Sequence, residues 1–149
     1  MKKIILLSTL TLLVAVFISS CTKTAGPRYD ENYWLSQERG DVVYSDSYCN
    51  YYVVETLYGY TIMRAVGTRP YEYDVMYGDF GRFGTRDFYN YSAGYVVRSE
   101  VVEYDLTYAE AQLAIDYYCP YGKSGDAKTA KKVIVNSGKT HIQRPGSSK

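Results

Sequence analysis

The chain has 149 residues, with 17 Lys and Arg against 16 Asp and Glu, and 19 of its residues are tyrosine. This length allows one domain with tails and is too short for two domains. The formal net charge of +1 gives no reason to expect a nucleic-acid partner.

The first 21 residues, MKKIILLSTLTLLVAVFISSC, predict where the protein is found. Lys2 and Lys3 precede an uncharged and mostly apolar run over residues 4–18, and small residues follow it. This is the layout of a secretory signal peptide, which we predict over residues 1–20. The run is shorter than the ~20 apolar residues of a membrane-spanning helix. An uncleaved anchor and a secreted protein cut at another site are therefore the weaker alternatives.

The sequence Ile18-Ser19-Ser20-Cys21 resembles the lipobox of bacterial lipoproteins. The resemblance implies cleavage before Cys21, a diacylglycerol on its sulfur and an acyl chain on its new amino group. Several acyl chains form a stable membrane anchor, whereas one chain binds only marginally. In this class an aspartate after the cysteine retains the protein in the inner membrane. Thr22 stands there, so the resemblance favours the outer membrane of the cell envelope, with residues 21–30 as lipidated cysteine and tether.

The composition of the mature part predicts the fold class. Removing residues 1–20 leaves 129 residues, which contain all the tyrosines and little leucine. Tyr, Val and Ile suit a pleated, half-buried surface rather than a helix bundle. We therefore expect an α+β, mainly β domain over residues 31–120. Its architecture would be a small curled antiparallel sheet or barrel of about six short strands, with one C-terminal helix.

Taken in chain order, the domain begins with a predicted short helix over residues 31–39. Asp30 would cap this helix, Gly40 would stop it, and Trp34 would pack onto the domain. A hairpin is expected around Tyr58-Gly59, because the loop is short and contains glycine. A bulge or bend is expected at residues 98–100. The six predicted strands cover residues 42–45, 50–57, 60–66, 73–77, 86–90 and 95–104.

Residues 78–84, GDFGRFG, form a glycine-rich stretch between two predicted strands. The stretch contains the letters of the kinase D-F-G motif, but a chain of this size lacks every other part of a kinase. The match is chance, and the expected role is a turn where the sheet bends sharply. The alternative is a contact surface formed by exposed Phe80, Arg82 and Phe83.

The predicted C-terminal helix lies near residues 107–118. Thr107 and Glu110 have the spacing of a capping box, and Pro120 would end the helix. At helical spacing five residues share one stripe that would face the sheet: Tyr108, Ala111, Ile115, Tyr118 and Cys119. The alternative that we leave open is that this helix plugs one end of a barrel.

Cys49 and Cys119 remain after Cys21 is assigned to the lipid anchor. Both would lie in an oxidising compartment, where a disulfide is plausible, and Cys119 would point from the helix towards the sheet. The bond would be structural because the sequence has no C-x-x-C pair. The alternative is two buried thiols that behave as small apolar residues.

The charge is unevenly distributed along the mature chain. Residues 22–120 carry 8 basic against 15 acidic side chains, whereas residues 121–149 carry 7 basic side chains and only Asp126. We expect residues 121–149 to be a basic, largely disordered tail, with residues 133–135 able to add an edge strand. The default is a solvated tail. The alternatives are contact with anionic lipid head groups and contact with the protein's own acidic body.

No catalytic residue, metal ligand or cofactor site is predicted. His141 lies in the tail, where the neighbouring sequence contains no Cys, Asp or Glu. Cys49 and Cys119 would need two further ligands to hold zinc. Four carboxylates could hydrolyse a glycoside if a cleft held two of them at the right separation. They are Glu100, Glu103, Asp105 and Glu110.

The segments at residues 34–40 and 77–80 are similar to those of small bacterial envelope lipoproteins without known function. This resemblance transfers no activity. The leading hypothesis is a non-catalytic lipoprotein, anchored in the membrane, whose domain binds another envelope protein or supports an assembly. The alternative is a surface glycan-binding module, because tyrosine rings stack on sugars. The second alternative is the small hydrolase.

Overall fold

The computed structural model describes residues 30–120 and 134–146. The predicted signal peptide, Cys21 and nearly all of the tether lie outside these ranges. The prediction of a mainly β domain with six strands is confirmed. The elements are α1 (Glu31–Leu35), β1 (Glu38–Ser45), β2 (Tyr51–Thr56), β3 (Gly59–Ala65), β4 (Val75–Gly78), β5 (Gly84–Asn90), β6 (Tyr95–Leu106) and α2 (Tyr108–Tyr118).

The six strands form a closed barrel in the order β1-β2-β3-β6-β5-β4, and every neighbouring pair is antiparallel. The predicted hairpin joins β2 to β3, with Thr56 opposite Gly59. Gly59 has a φ of +126°, and a Cβ there would lie 2.6 Å from the Leu106 carbonyl oxygen. Only glycine fits this position, where the hairpin approaches β6.

The barrel interior holds alternate residues of the strands. Tyr52 is fully buried there, and its hydroxyl donates a hydrogen bond to Ser99 Oγ at 2.7 Å. This bond satisfies two polar groups that would otherwise be costly to bury. The buried apolar residues of the interior are Val42, Val54, Met63, Met76, Phe80, Phe88, Val97 and Val101, which pack around Tyr52.

A second apolar cluster covers the outer face of β1, β2 and β3. Helix α2 packs across this face, and the predicted stripe is confirmed because Ala111, Ile115 and Cys119 are buried in it. The capping box of Thr107 and Glu110 is present. The helix therefore lies against the side of the barrel and does not plug its end. The strand residues beneath it are Val43, Tyr44, Val53, Tyr60 and Ile62.

The first predicted helix is shorter than expected. Helix α1 ends at Leu35, and Gly40 lies inside β1 instead of stopping a helix. A Cβ on Gly40 would lie 2.3 Å from Val54 Cγ1. The glycine is there because the barrel interior has no room for a side chain, which is a constraint from β2 that local sequence does not reveal. Trp34 packs on the domain as expected, with its ring 6.3 Å from that of Tyr89.

The bulge expected at residues 98–100 is absent there. The register shifts between β3 and β6 involve β6 residues 101–106. Ser99 stays in the regular alternation because Tyr52 satisfies its hydroxyl, while Arg98 and Glu100 point outwards to Asp87 and Arg64. Polar residues in a strand therefore do not require a bulge when the inward one has a partner.

The glycine-rich stretch connects β4 to β5 and also contributes to the core. Phe80 is fully buried and stacks on Phe88 at 5.0 Å, so the alternative in which Phe80 is exposed is wrong. Phe83 is exposed, as that alternative supposed. A Cβ on Gly78 would lie 2.3 Å from Phe88 Cδ1. The glycine allows close packing where the barrel closes.

Candidate functional site

Cys49 and Cys119 form a disulfide, with their Cα atoms 5.7 Å apart. The bond joins Cys49, which lies two residues before β2, to Cys119 at the C-terminal end of α2. It closes a loop with a sequence separation of 70 residues, which corresponds to about 4 kcal/mol in the chain-entropy account. Its place between the helix and the barrel gives it a structural role.

A shallow cavity of about 300 Å³ lies beside this disulfide. Tyr51 and Tyr118 stack along it with ring centroids 4.6 Å apart. The Tyr118 hydroxyl donates to Glu103 Oε1 at 2.9 Å, and burial together with Glu103 raises the pKa of Tyr118 to about 12. Tyr48 is 72 % exposed at the rim. The lining residues are Tyr48, Cys49, Asn50, Tyr51, Tyr118, Cys119 and Pro120.

The outer side of β4 and β5 carries a row of aromatic rings, which we call the aromatic face. It consists of Tyr33, Trp34, Tyr77, Tyr89 and Tyr91. Successive rings contact each other from Tyr33 through Trp34, Tyr89 and Tyr91 to Tyr77, with centroid distances between 5.3 and 6.3 Å. Tyr77 and Tyr89 are opposite each other across the two strands and alternate with the buried Met76 and Phe88. The rings therefore support one another on the outside of the barrel.

Four carboxylates contact the C-terminal residues, and we call them together the acidic patch: Asp41 and Glu55 on the outer side of β1 and β2, Glu38 at the start of β1 and Asp105 near the end of β6. Asp41 and Glu55 are directly opposite on neighbouring strands, which is unfavourable for like charges without a cation. Arg39 binds Asp41 at 2.7 Å, and Lys139 supplies a cation between the two carboxylates, because its Nζ contacts Asp41 and lies 3.7 Å from Glu55 Oε2. Residues from the predicted tail therefore offset part of the negative charge of the patch.

His141 has an acidic neighbour in the fold, although none lies near it in the sequence. Its Nε2 lies 3.2 Å from Glu55 Oε1, and its ring packs edge-on against Tyr60 at 5.2 Å. Burial, followed by the hydrogen bond with Glu55 and its charge, raises the pKa of Tyr60. The sequence does not reveal this contact, because 86 residues separate Glu55 from His141, and only the fold brings them together.

Arg144 lies between two carboxylates of the acidic patch, in a site that we call the Arg144 seat. Its Nη1 and Nη2 donate to Glu38 at 2.8 and 3.1 Å, and its Nε donates to Asp105 at 2.9 Å. The guanidinium also lies 4.1 Å from the ring centroid of Tyr58. A Cβ on Gly81 would lie 2.3 Å from Arg144 Cζ, so the glycine-rich stretch leaves the space that the guanidinium fills.

Residues 134–146, which we call the C-terminal segment, therefore lie along the protein's own acidic body. Ile134 is fully buried in the cluster under α2, and the backbone amides of Val135 and Ile142 donate to Val43 and Leu57. For these residues the structure differs from the default expectation of a solvated tail, and the alternative of contact with the acidic body holds. Residues 121–133 and 147–149 lie outside the described ranges.

Each of the four carboxylates named in the hydrolase hypothesis contacts a different partner. Glu100 pairs with Arg64, Glu103 accepts from Tyr118, Asp105 binds Arg144, and Glu110 completes the capping box of α2. None of the four lines the cavity beside the disulfide. Within the described residues each of the four carboxylates therefore has a partner of its own.

The described residues lack two other kinds of feature. In residues 30–120 and 134–146, no group of three or more His, Cys, Asp and Glu side chains is placed to hold a metal ion. Within the same ranges no helix has the length and apolar character needed to cross a membrane.

Comparison with known proteins gives no match to a family model, a curated protein or a solved structure. The surfaces described above are therefore interpreted from their own chemistry. Sequence reasoning missed the Arg144 seat and the aromatic face as contiguous surfaces. The one sequence signal of the Arg144 seat was the opposite charge of the body and the tail.

Proposed function

We propose that the protein is a non-catalytic lipoprotein of the cell envelope whose β domain binds another protein. The sequence of residues 1–21 supports a cleaved signal peptide and lipidation of Cys21. Thr22 after the cysteine favours the outer membrane. The protein partner is bound by the domain, and the lipid keeps the domain at the membrane surface.

The aromatic face is the observation that carries the binding role. Tyr33 is 56 % exposed and Tyr91 is 50 % exposed, although both belong to a row of rings in mutual contact. Tyr and Trp are enriched at protein interfaces, where they bury a large area at a low cost in side-chain entropy. Rings that are held by their neighbours before binding lower this cost further.

The size of the native complex after extraction from membranes tests the binding role. The Tyr89→Ala/Tyr91→Ala variant should lose the complex that the wild-type protein forms, and crosslinked material should shift to the mass of the single chain. Leu113→Ala is the matched control, because Leu113 is 71 % exposed on α2 and lies outside the aromatic face. A complex that survives in the double variant would contradict the proposal.

Incorporation of labelled palmitate tests the anchor. Wild-type protein should carry the label and partition into detergent, and Cys21→Ala should lose both properties while the domain still folds. Label that persists in the Cys21→Ala variant would place the lipid elsewhere and contradict the assignment.

The cavity beside the disulfide favours a second candidate, a surface glycan-binding module. Its stacked pair Tyr51 and Tyr118, the exposed Tyr48 and the amide of Asn50 combine ring faces with a polar group, which is the chemistry that a sugar needs. Oligosaccharides should change the tyrosine fluorescence, and Tyr48→Ala should reduce this response. No change in tyrosine fluorescence with any member of a broad glycan panel would contradict this candidate.

A further inference from the structure

The C-terminal segment binds the acidic patch through the side chains of Lys139, His141 and Arg144. Between its ends the segment is largely exposed, and residues 135–140 are all exposed. At one end Ile134 is buried and its carbonyl accepts from Tyr108. At the other end Arg144 is held by its charge contacts, and the Ile142 amide donates to the Leu57 carbonyl. Residues 139–146 are therefore held mainly by polar and charged contacts, whereas Ile134 is held by apolar packing.

The segment fits the patch imperfectly at Glu55. The Glu55 side chain is completely buried, yet within the described residues its Oε2 has no hydrogen-bond donor. Lys139 Nζ is the nearest cation, and at 3.7 Å it is beyond hydrogen-bond distance. A buried carboxylate oxygen without a donor is unfavourable. An arginine reaching this point would supply several donors in a planar fork.

The Arg144 seat has the features of a recognition site for arginine. Two carboxylates bind the guanidinium on different edges, a tyrosine ring lies against it, and Gly81 leaves space for it. Such bidentate contacts are specific for the guanidinium shape and would be poorly made by lysine. The side chains of Arg144, Glu38 and Asp105 are at most 18 % exposed, so the seat is largely shielded from water.

We propose that the acidic patch binds an extended basic segment of a partner protein, with an arginine in the Arg144 seat. Residues 139–146 of this chain occupy the patch until that partner displaces them. This inference rests on the proposed protein-binding role, but it uses a surface other than the aromatic face. The ligand is a basic peptide, because four carboxylates and an unsatisfied Glu55 oxygen favour a chain that carries more than one cation.

The binding of a labelled peptide with the sequence of residues 139–146, KTHIQRPG, tests the proposal by fluorescence anisotropy on the mature full-length protein. In Arg144→Gln the chain's own segment loses the guanidinium that holds it to Glu38 and Asp105, while the space at Gly81 and the four carboxylates stay unchanged. A peptide must compete with the chain's own segment in the wild type. We therefore expect at least about tenfold tighter binding to Arg144→Gln, since the apparent affinity rises with the fraction of vacant patch.

A blocking variant tests whether the peptide's arginine uses the same site as Arg144. Gly81→Ala fills the space beside the guanidinium, so Arg144→Gln/Gly81→Ala should bind the peptide more weakly than Arg144→Gln does. A peptide with the His141→Arg substitution should bind more tightly than KTHIQRPG, because it reaches Glu55 with better donors. Glu38→Gln/Asp105→Asn is the control that should abolish binding.

Two results would overturn the proposal. The first is no peptide binding to Arg144→Gln when NMR signals show that the segment has left the patch. The second is peptide binding to Glu38→Gln/Asp105→Asn that equals the binding to Arg144→Gln. Tyr89→Ala separates this proposal from the proposed function, because it should lose the partner complex through the aromatic face and still bind the peptide.

Discussion

The two sides of the barrel differ in what covers them. The outer face of β1 to β3 lies under α2 and Ile134, and it presents Val53 and Ile62, both completely buried. The outer face of β4 and β5 presents the aromatic face, where Tyr33 and Tyr91 are half exposed. The chain therefore uses its own C-terminal elements to bury one side and leaves rings on the other.

The residue types explain this difference. Aliphatic side chains gain free energy only when they are removed from water, so the side that carries them needs a cover. Tyrosine and tryptophan combine an apolar ring with a polar group, and they tolerate partial exposure. The covered side stabilises the fold, and the aromatic side is the one that we propose a partner binds.

The largest expected effect comes from removing the disulfide that holds α2 on the covered side. Cys49→Ala/Cys119→Ala should lower the free energy of unfolding by about 4 kcal/mol, because the unfolded chain loses the closed loop. Urea denaturation measures the change, and reduced wild-type protein is the control that should unfold at a similar midpoint. A loss below about 1 kcal/mol would show that α2 is held by packing alone.

A slightly smaller effect separates the two sides directly. Ile115→Ala leaves a cavity under α2 and should cost about 3 kcal/mol. Tyr91→Ala removes a half-exposed ring from the aromatic face and should cost less than about 1 kcal/mol. Both values come from urea denaturation of matched variants. Equal losses would mean that the aromatic face is also part of the stabilising core.

The smallest effect is on the pH dependence of the covered side. Tyr118 has its pKa raised to about 12 by burial and by Glu103, whereas an unfolded tyrosine titrates near about 10. The folded state therefore holds the proton more tightly. The contribution is complete below pH about 10 and is lost as the pH rises through about 12. Urea midpoints across this range should fall less steeply for Tyr118→Phe, and parallel curves would contradict the assignment.

Local sequence patterns predicted the elements that depend on near neighbours. The capping box of Thr107 and Glu110, the hairpin at Gly59 and the buried stripe of α2 all follow from spacings of a few residues. The disulfide was also predicted, because the periodicity of α2 turned Cys119 towards the sheet. These features hold because the barrel reinforces the local preferences.

The features that the sequence did not predict depend on distant parts of the chain. Gly40 was read as a helix stop, although Val54 on the neighbouring strand is what excludes a side chain there. The partners of His141 and Arg144 lie 86 and 106 residues away in sequence. The charge difference between body and tail left contact with the acidic body as one alternative to a solvated tail, but the sequence contains no information on which carboxylate meets which cation.

Crosslinking in living cells most directly tests the claim that one side is covered by the chain and the other is kept for a partner. A photoreactive amino acid at Tyr91 samples the aromatic face, and one at Leu113 samples the exposed surface of α2. The account predicts one discrete crosslinked protein from Tyr91, absent from Leu113 and lost when Tyr89→Ala is added. Crosslinks of equal yield from both positions, or none from Tyr91, would contradict it.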